Sequence, residues 1–115
     1  MTRTILMPNV FDFFATKDNN SFFFDVKLRE KNSLSYSAIH SCSSTLHQAQ
    51  CLSDITNKKS FGFFLICFVD EVHLFLPDQL LGLKHGRSLK SYDSKLLCGS
   101  FTYVDVAKIE KYFLR

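Results

Sequence analysis

The chain contains no tryptophan and only two prolines and four glycines among its 115 residues. It also lacks a long hydrophobic run. The longest nearly unbroken one, residues 61–69, has about half the length that a bilayer-spanning helix needs, which argues against a transmembrane protein. The first ten residues lack the extended apolar core and the small-residue cleavage site of a secretory signal, so we expect a cytoplasmic protein.

The four cysteines do not form a metal or redox motif. Cys42, Cys51, Cys67 and Cys98 are separated by 9, 16 and 31 positions, so no C-x-x-C pair indicates a zinc ribbon or a redox centre. Thiols stay reduced inside the cell, and a free cysteine packs like a small hydrophobic residue. We therefore expect buried, reduced thiols.

The residues that are present have the composition of a folded domain. Hydrophobic residues make up 46% and charged residues 22% of the chain, with a net charge of +3, which excludes a disordered protein. Thirteen phenylalanines are unusual, and they fit either an AT-rich genome or a reading frame that is partial or decayed. No repeat or linker interrupts the chain, so we expect a single domain over residues 1–115.

Apolar and aromatic runs predict a β-hairpin near the start of the chain. Its strands cover residues 10–16 and 22–28, and polar residues 17–21 form the turn, where asparagine can adopt the left-handed conformation. The remaining pattern predicts, in order, a loop at 29–37, a helix at 43–56, a buried strand at 61–69, a strand at 72–76, a helical turn at 77–83, an exposed irregular segment at 84–95 and a helix after Asp105. This order indicates an α/β or α+β fold with helices packed against a mixed sheet.

Three charged side chains meet in this hairpin. Asp12 lies in the first strand, and Asp25 and Lys27 lie in the second, where residues two apart share one face about 7 Å from each other. Folding at residues 18–21 brings Asp12 across from them. Carboxylates are hard oxygen ligands suited to Mg²⁺, with Mn²⁺ as an alternative, and a lysine can orient or deprotonate water. The cluster predicts metal-dependent hydrolysis of a phosphodiester.

The pattern of Asp12 followed by Asp25-Val26-Lys27 resembles the PD-(D/E)xK nuclease superfamily, and within it the RecU-type Holliday junction resolvases. The resemblance spans residues 12–115. Besides the triad it includes Ser33-Leu34, Ile39-His40, His47-Gln48, Phe63-Phe64-Leu65-Ile66, Phe75 to Pro77, Arg87-Ser88-Leu89, Tyr103-Val104-Asp105 and Ile109-Glu110-x-Tyr112-Phe113.

The resemblance implies a restriction-endonuclease-like mixed β-sheet flanked by helices. It implies that Asp12 and Asp25 hold Mg²⁺ with the backbone carbonyl of Val26, that Lys27 handles the attacking water, and that Gln48 is a further catalytic residue near the site. A homodimer that cleaves branched DNA in recombination and repair is implied as well. The chain departs from these relatives in two respects. Asp25 stands where the resolvases usually carry glutamate, and only eleven residues precede Asp12, where relatives have a helix and a stalk.

Basic residues also favour a nucleic-acid partner. From residue 84 onward there are seven lysines and arginines against three acidic residues, and phosphate backbones attract such patches through counterion release. The predicted nucleic-acid contacts are Arg29, Lys31, Lys58, Lys59, Lys84, Arg87 and Lys90. Two alternatives stay open: a catalytically inactive DNA-binding relative, and a small intracellular interaction protein that carries the triad by accident.

Overall fold

A mixed β-sheet lies at the centre of the protein, with helices packed against it. The computed structural model describes residues 3–6, 13–41 and 43–114. The elements are β1 (Arg3–Leu6), β2 (Phe13–Lys17), β3 (Asn20–Arg29), β4 (Ser33–Ser35), α1 (Tyr36–His40), α2 (Ser43–Ile55), β5 (Ser60–Phe68), β6 (Glu71–Phe75), α3 (Pro77–Leu81), β7 (Ser88–Lys90), a 3₁₀ turn (Ser91–Asp93), β8 (Leu96–Ser100), β9 (Tyr103–Val104) and α4 (Val106–Phe113).

In the described residues the main sheet has the strand order β1-β2-β3-β5-β6-β8-β9, and β4 and β7 form a separate two-stranded ribbon. Strands β3 and β5 run parallel, while the other neighbouring strands run antiparallel. A parallel pair requires a long crossover. Here the crossover contains β4, α1 and α2. The predicted α+β fold with a mixed sheet is therefore confirmed.

The turn between β2 and β3 has the backbone that a tight hairpin requires. Asp18 and Asn19 both have positive φ angles, 53° and 65°. Two successive left-handed residues form the turn whose twist matches that of the flanking strands. The predicted left-handed asparagine is confirmed, and Asp18 adopts the same conformation.

Strand β5 is buried on both faces, as its apolar sequence predicts. On one face Phe64 and Ile66 belong to a core that includes residues of α1, α2, α3, β4 and β7. On the other face Phe63 and Leu65 belong to a second core that includes residues of β6, β8 and α4. The sheet thus divides the interior into two apolar layers.

Helix α2 approaches the sheet most closely at Gly62. A Cβ atom on Gly62 would lie 2.2 Å from the carbonyl oxygen of Leu52, so a larger residue cannot be accommodated without moving the helix. The backbone N–H of Gly62 also donates to the hydroxyl of Thr56, just after the helix ends (3.0 Å). This contact fixes the height of α2 above β3 and β5.

Two segments that the sequence predicts to be loops contain short strands in the structure. Residues 29–37 contain β4, and residues 84–95 contain β7 and a 3₁₀ turn. The two strands pair with each other, and Leu34 and Leu89 are partners with only 4% and 5% of their surfaces exposed. One apolar residue in each three-residue strand is too weak a pattern for a prediction. Strands β8 and β9 were likewise not predicted.

Two predicted features lie partly outside the described residues. The first predicted strand is described from residue 13 as β2, and Asp12 lies outside the described residues, as does Cys42.

Cys67 and Cys98 are buried and Cys51 is half-buried, and all three are free thiols. The predicted C-terminal helix is confirmed as α4, with the carboxylate of Asp105 accepting from the N–H of Lys108 (3.2 Å). Among the described residues no helix combines the length and apolar character needed to cross a membrane.

Replacing Gly62 tests the close approach of α2. We expect Gly62→Ala to lower the free energy of unfolding by about 2 kcal/mol, because the new methyl group meets the backbone of α2 rather than a flexible side chain. Urea unfolding followed by circular dichroism measures this change. A variant as stable as the parent chain would contradict the observed packing.

The buried thiol of Cys98 gives a pH-dependent prediction. Burial raises the pKa of Cys98 from 9.0 to about 12. The stabilisation from keeping this thiol neutral is therefore complete below pH 9 and is lost as pH rises towards 12, at about 1.4 kcal/mol per pH unit. We expect Cys98→Ala to show a shallower loss of stability over this range. In the parent chain at pH 8, iodoacetamide should modify Cys51 well before Cys98, as measured by peptide mass spectrometry.

Candidate active site

Three of the predicted site residues meet on one face of the sheet. Asp25 and Lys27 lie two residues apart on β3, and Gln48 lies on α2 above them. Lys27 Nζ is 2.9 Å from Asp25 Oδ2 and donates to Gln48 Oε1, also at 2.9 Å. Gln48 Nε2 donates to Asp25 Oδ1 at 3.4 Å. The three side chains therefore form a closed ring of polar contacts.

The ring is buried at one end and open at the other. Asp25 is 1% exposed, whereas the side chain of Lys27 is 25% exposed. An ionised carboxylate removed from water needs a paired charge and hydrogen bonds. Lys27 supplies the charge and Gln48 supplies a hydrogen bond. The carboxylate is thus held in place, and the lysine connects it to the surface.

The neighbours of this pair on the same face are apolar. In the parallel register Asp25 is paired with Phe64 and Lys27 with Ile66, and Phe23 precedes them on the same face of β3. Phe64 and Ile66 are completely buried. A hydrophobic pair would fill this position in a purely structural strand, so the charged residues break the local pattern. Departures of this kind are typical of functional sites.

Among the predicted metal ligands, the carboxylate of Asp25 is the acidic side chain that lies within the described residues. Mg²⁺ binds through one or two carboxylates and keeps several waters or substrate oxygens. Among the described residues, no group of three or more histidine, cysteine or acidic side chains could hold a metal ion. The other predicted ligands are Asp12, which lies outside the described residues, and the backbone carbonyl of Val26, which follows Asp25 on β3. Two carboxylates and a carbonyl are oxygen donors of the type that Mg²⁺ prefers.

The seven predicted nucleic-acid contacts fall into two groups. Arg29 and Lys31 follow Lys27 at the end of β3 and line a common open groove. Lys90 is the last residue of β7, which pairs with β4, and Lys84 and Arg87 lie in the segment that precedes β7.

Lys58 and Lys59 form the other group and lie at the opposite end of the parallel pair. The carbonyl of Lys59 accepts from the N–H of Ser21, at the start of β3 (2.7 Å). Ser21 is four residues before Asp25, a distance of about 13 Å along a strand. The structure therefore places these two lysines away from the end of β3 that carries Arg29.

Sequence reasoning did not connect Tyr36 with His85. The two rings contact each other edge to face, with centroids 5.2 Å apart, and Tyr36 also stacks on His40 at 4.1 Å. Tyr36 follows β4 and His85 precedes β7, so the pairing of these strands brings the rings together. No spacing rule could have linked residues this far apart in the chain.

Removing the ammonium group tests the ion pair at the site. We expect Lys27→Met to lower the free energy of unfolding by about 2–4 kcal/mol, because it removes the positive charge that lies 2.9 Å from the buried carboxylate of Asp25. The double variant Asp25→Asn/Lys27→Met should recover part of this loss, since it removes the charge as well. Urea unfolding of both variants at pH 7 measures the difference. Equal stability of the single variant and the parent chain would contradict the pairing.

No protein-family model matches the chain, and no curated protein matches it.

Proposed function

We propose that the chain is a metal-dependent endonuclease of the PD-(D/E)xK class that cleaves branched DNA, as the junction resolvases do. The observation that carries this proposal is the contact between Asp25, Lys27 and Gln48. The sequence motif requires the acid and the lysine to share one face of a strand, and they do. The mixed sheet with α2 against this face supports a restriction-endonuclease-like fold.

Each residue of the site has its own role in the proposed hydrolysis of a phosphodiester. Asp25 would hold Mg²⁺ together with Asp12 and the carbonyl of Val26. The bound metal would stabilise the negative charge that develops on the phosphate. Lys27, whose exposed part reaches the surface, would orient the attacking water through an N–H of its ammonium group. Gln48 accepts from Lys27 and donates to Asp25, so it keeps both groups aligned.

The test is a cleavage assay with matched substrates. Purified protein is incubated with a four-way junction and with linear duplex DNA, in Mg²⁺ or in EDTA. We expect nicking only with Mg²⁺, and a loss of about 100-fold or more in Asp25→Asn and Lys27→Ala, because each removes a group that acts on the metal or the water. Gels of end-labelled DNA measure the rates.

Asp18→Asn provides the matched control. Asp18 is an exposed aspartate in the turn of the same hairpin, and its left-handed backbone also suits asparagine. This variant should cleave at the parent rate. Cleavage that persists in Lys27→Ala, or in EDTA, would contradict the proposal. Salt-sensitive binding of the junction without any cleavage would instead favour the inactive DNA-binding relative.

The proposal includes a homodimer, which follows from the resemblance to the resolvases. Symmetric cleavage of a four-way junction needs two active sites in opposite orientations. Light scattering of the protein with and without junction DNA measures the mass of the assembly. A monomer in both conditions would remove the dimer from the proposal without affecting the nuclease site.

A further inference from the structure

We propose that the protein has a second DNA-binding surface, which holds the phosphate backbone of another arm of the branched substrate. The surface is a lysine cluster, formed by Lys95, Lys108 and Lys111. This inference rests on the proposed nuclease function and adds how the chain distinguishes branched DNA from a linear duplex. It is carried by the charge of the cluster, by the groups that surround it, and by its position relative to Asp25 and Lys27.

The lysine cluster surrounds one open depression of about 450 Å³. Lys95 directly precedes β8, and Lys108 and Lys111 lie three residues apart on α4, which makes them neighbours on the helix surface. All three residues are exposed. Leu96 and Tyr112 complete the described lining. None of these lysines is among the seven predicted nucleic-acid contacts, because spacing along the sequence does not bring residue 95 to α4.

The positive charge of the cluster is not balanced by acids in the depression. Among the residues described there, no lining side chain is acidic. Asp105 and Glu110 are the two acids between residues 95 and 112. The first accepts from the backbone N–H of Lys108 (3.2 Å), and the second is paired with Lys17 of β2 (2.5 Å). Like charges at neighbouring helix positions repel each other, so an anion between the ammonium groups would stabilise the cluster.

The groups around the depression suit a phosphate backbone rather than base edges. Lysine and tyrosine side chains contact DNA phosphates, and such contacts position the DNA without reading its sequence. Lys108 Nζ donates to the carbonyl of Leu97 (3.0 Å), which holds this ammonium group against β8. The ring of Tyr112 packs edge to face on Phe113, with centroids 5.0 Å apart. Two of the lining side chains are thus held in place.

The cluster and the candidate active site lie on opposite faces of the main sheet. Asp25 and Lys27 are paired in register with residues of the core under α2. Leu96 and Tyr112 pack against the other core, which contains Ile109 of α4. DNA that contacts both places therefore needs segments on both sides of the sheet.

The strand register gives the lateral separation of the two places. Val26 on β3 is paired with Leu65 on β5. Leu65 is paired with Leu74 on β6, and Leu74 with Leu96 on β8. Three strand spacings of about 4.8 Å place Leu96 about 14 Å from Val26. A linear duplex has a persistence length of about 150 base pairs, so it does not bend around the sheet over this distance. The arms of a four-way junction leave in different directions, so separate arms reach the two faces.

Binding measurements in EDTA test the second surface without cleavage. Fluorescence anisotropy is measured with a labelled four-way junction and with a linear duplex as long as two of its arms. We expect Lys95→Ala/Lys108→Ala/Lys111→Ala to weaken junction binding about 10-fold or more, because it removes one of two linked contacts, and duplex binding about 2-fold or less. The slope of log K against log salt for the junction should become shallower by about 2–3.

The comparison of the two DNAs separates the lysine cluster from overall charge. A general loss of three positive charges would weaken the binding of both DNAs by similar factors. Lys95→Arg/Lys108→Arg/Lys111→Arg retains the charge and should bind both DNAs like the parent chain. The three residues are exposed, and alanine and arginine both favour a helix, so thermal unfolding of the two variants should match that of the parent chain.

Cleavage in Mg²⁺ gives a second measurement. The triple alanine variant should need about 10-fold more protein for half-maximal nicking of the junction, as its binding does. Its maximal rate should equal that of the parent chain, since the cluster lies on the other face of the sheet from Asp25 and Lys27.

The outcomes distinguish this inference from the nuclease itself. Equal losses for the two DNAs, or unchanged junction binding, would overturn the second surface even if the parent chain cleaves DNA. If the alanine variant loses the preference for the junction but the parent chain does not cleave with Mg²⁺, the nuclease proposal fails and the second surface stands. A parent chain that binds neither DNA would overturn both.

Discussion

The burial of the Asp25 carboxylate is the constraint on which the rest of the site depends. The side chain is 1% exposed, on a central strand, between apolar residues of the same sheet face. Removing an ionised carboxylate from water costs several kcal/mol unless an opposite charge and hydrogen bonds replace the lost hydration. Lys27 is the cation found beside it, at 2.9 Å. The spacing of these two residues on one strand therefore serves the stability of the fold and is also the spacing of the proposed catalytic motif.

The same constraint sets the position of α2. Gln48 bonds to both Asp25 and Lys27 only if the helix lies close to the sheet. Gly62 permits that approach, because its missing side chain leaves room for the backbone of α2 at Leu52. A buried ion pair of this kind adds little net stability compared with a hydrophobic pair of similar volume. Packing alone therefore does not account for its presence at the centre of an apolar face, and this supports the proposed catalytic role.

Local patterns were sufficient to predict the elements next to the site. Strands β3 and β5 follow from their apolar runs, α2 from residues that repeat on one helical face, and α4 from the cap at Asp105. The shared face of Asp25 and Lys27 follows from the two-residue period of a strand. The position of Gln48 came from the resemblance alone, since no local rule fixes which face of a sheet a helix covers. The β4–β7 ribbon was missed because its pairing joins residues more than fifty positions apart through one apolar contact.

The parallel pairing of β3 and β5 places the two groups of basic residues at opposite ends of these strands. Strands β3 and β5 are parallel, so the chain must return from the end of β3 to the end where β3 began before it can enter β5. Residues that directly follow β3, such as Lys31, must then lie at one end of the pair, and residues that directly precede β5, such as Lys59, at the other. The connection between them contains α2, which carries Gln48 to the site. A count of charges along the sequence cannot distinguish these ends. The direction of a single strand pair does, and it places Arg29 and Lys31 at one end and Lys58 and Lys59 at the other.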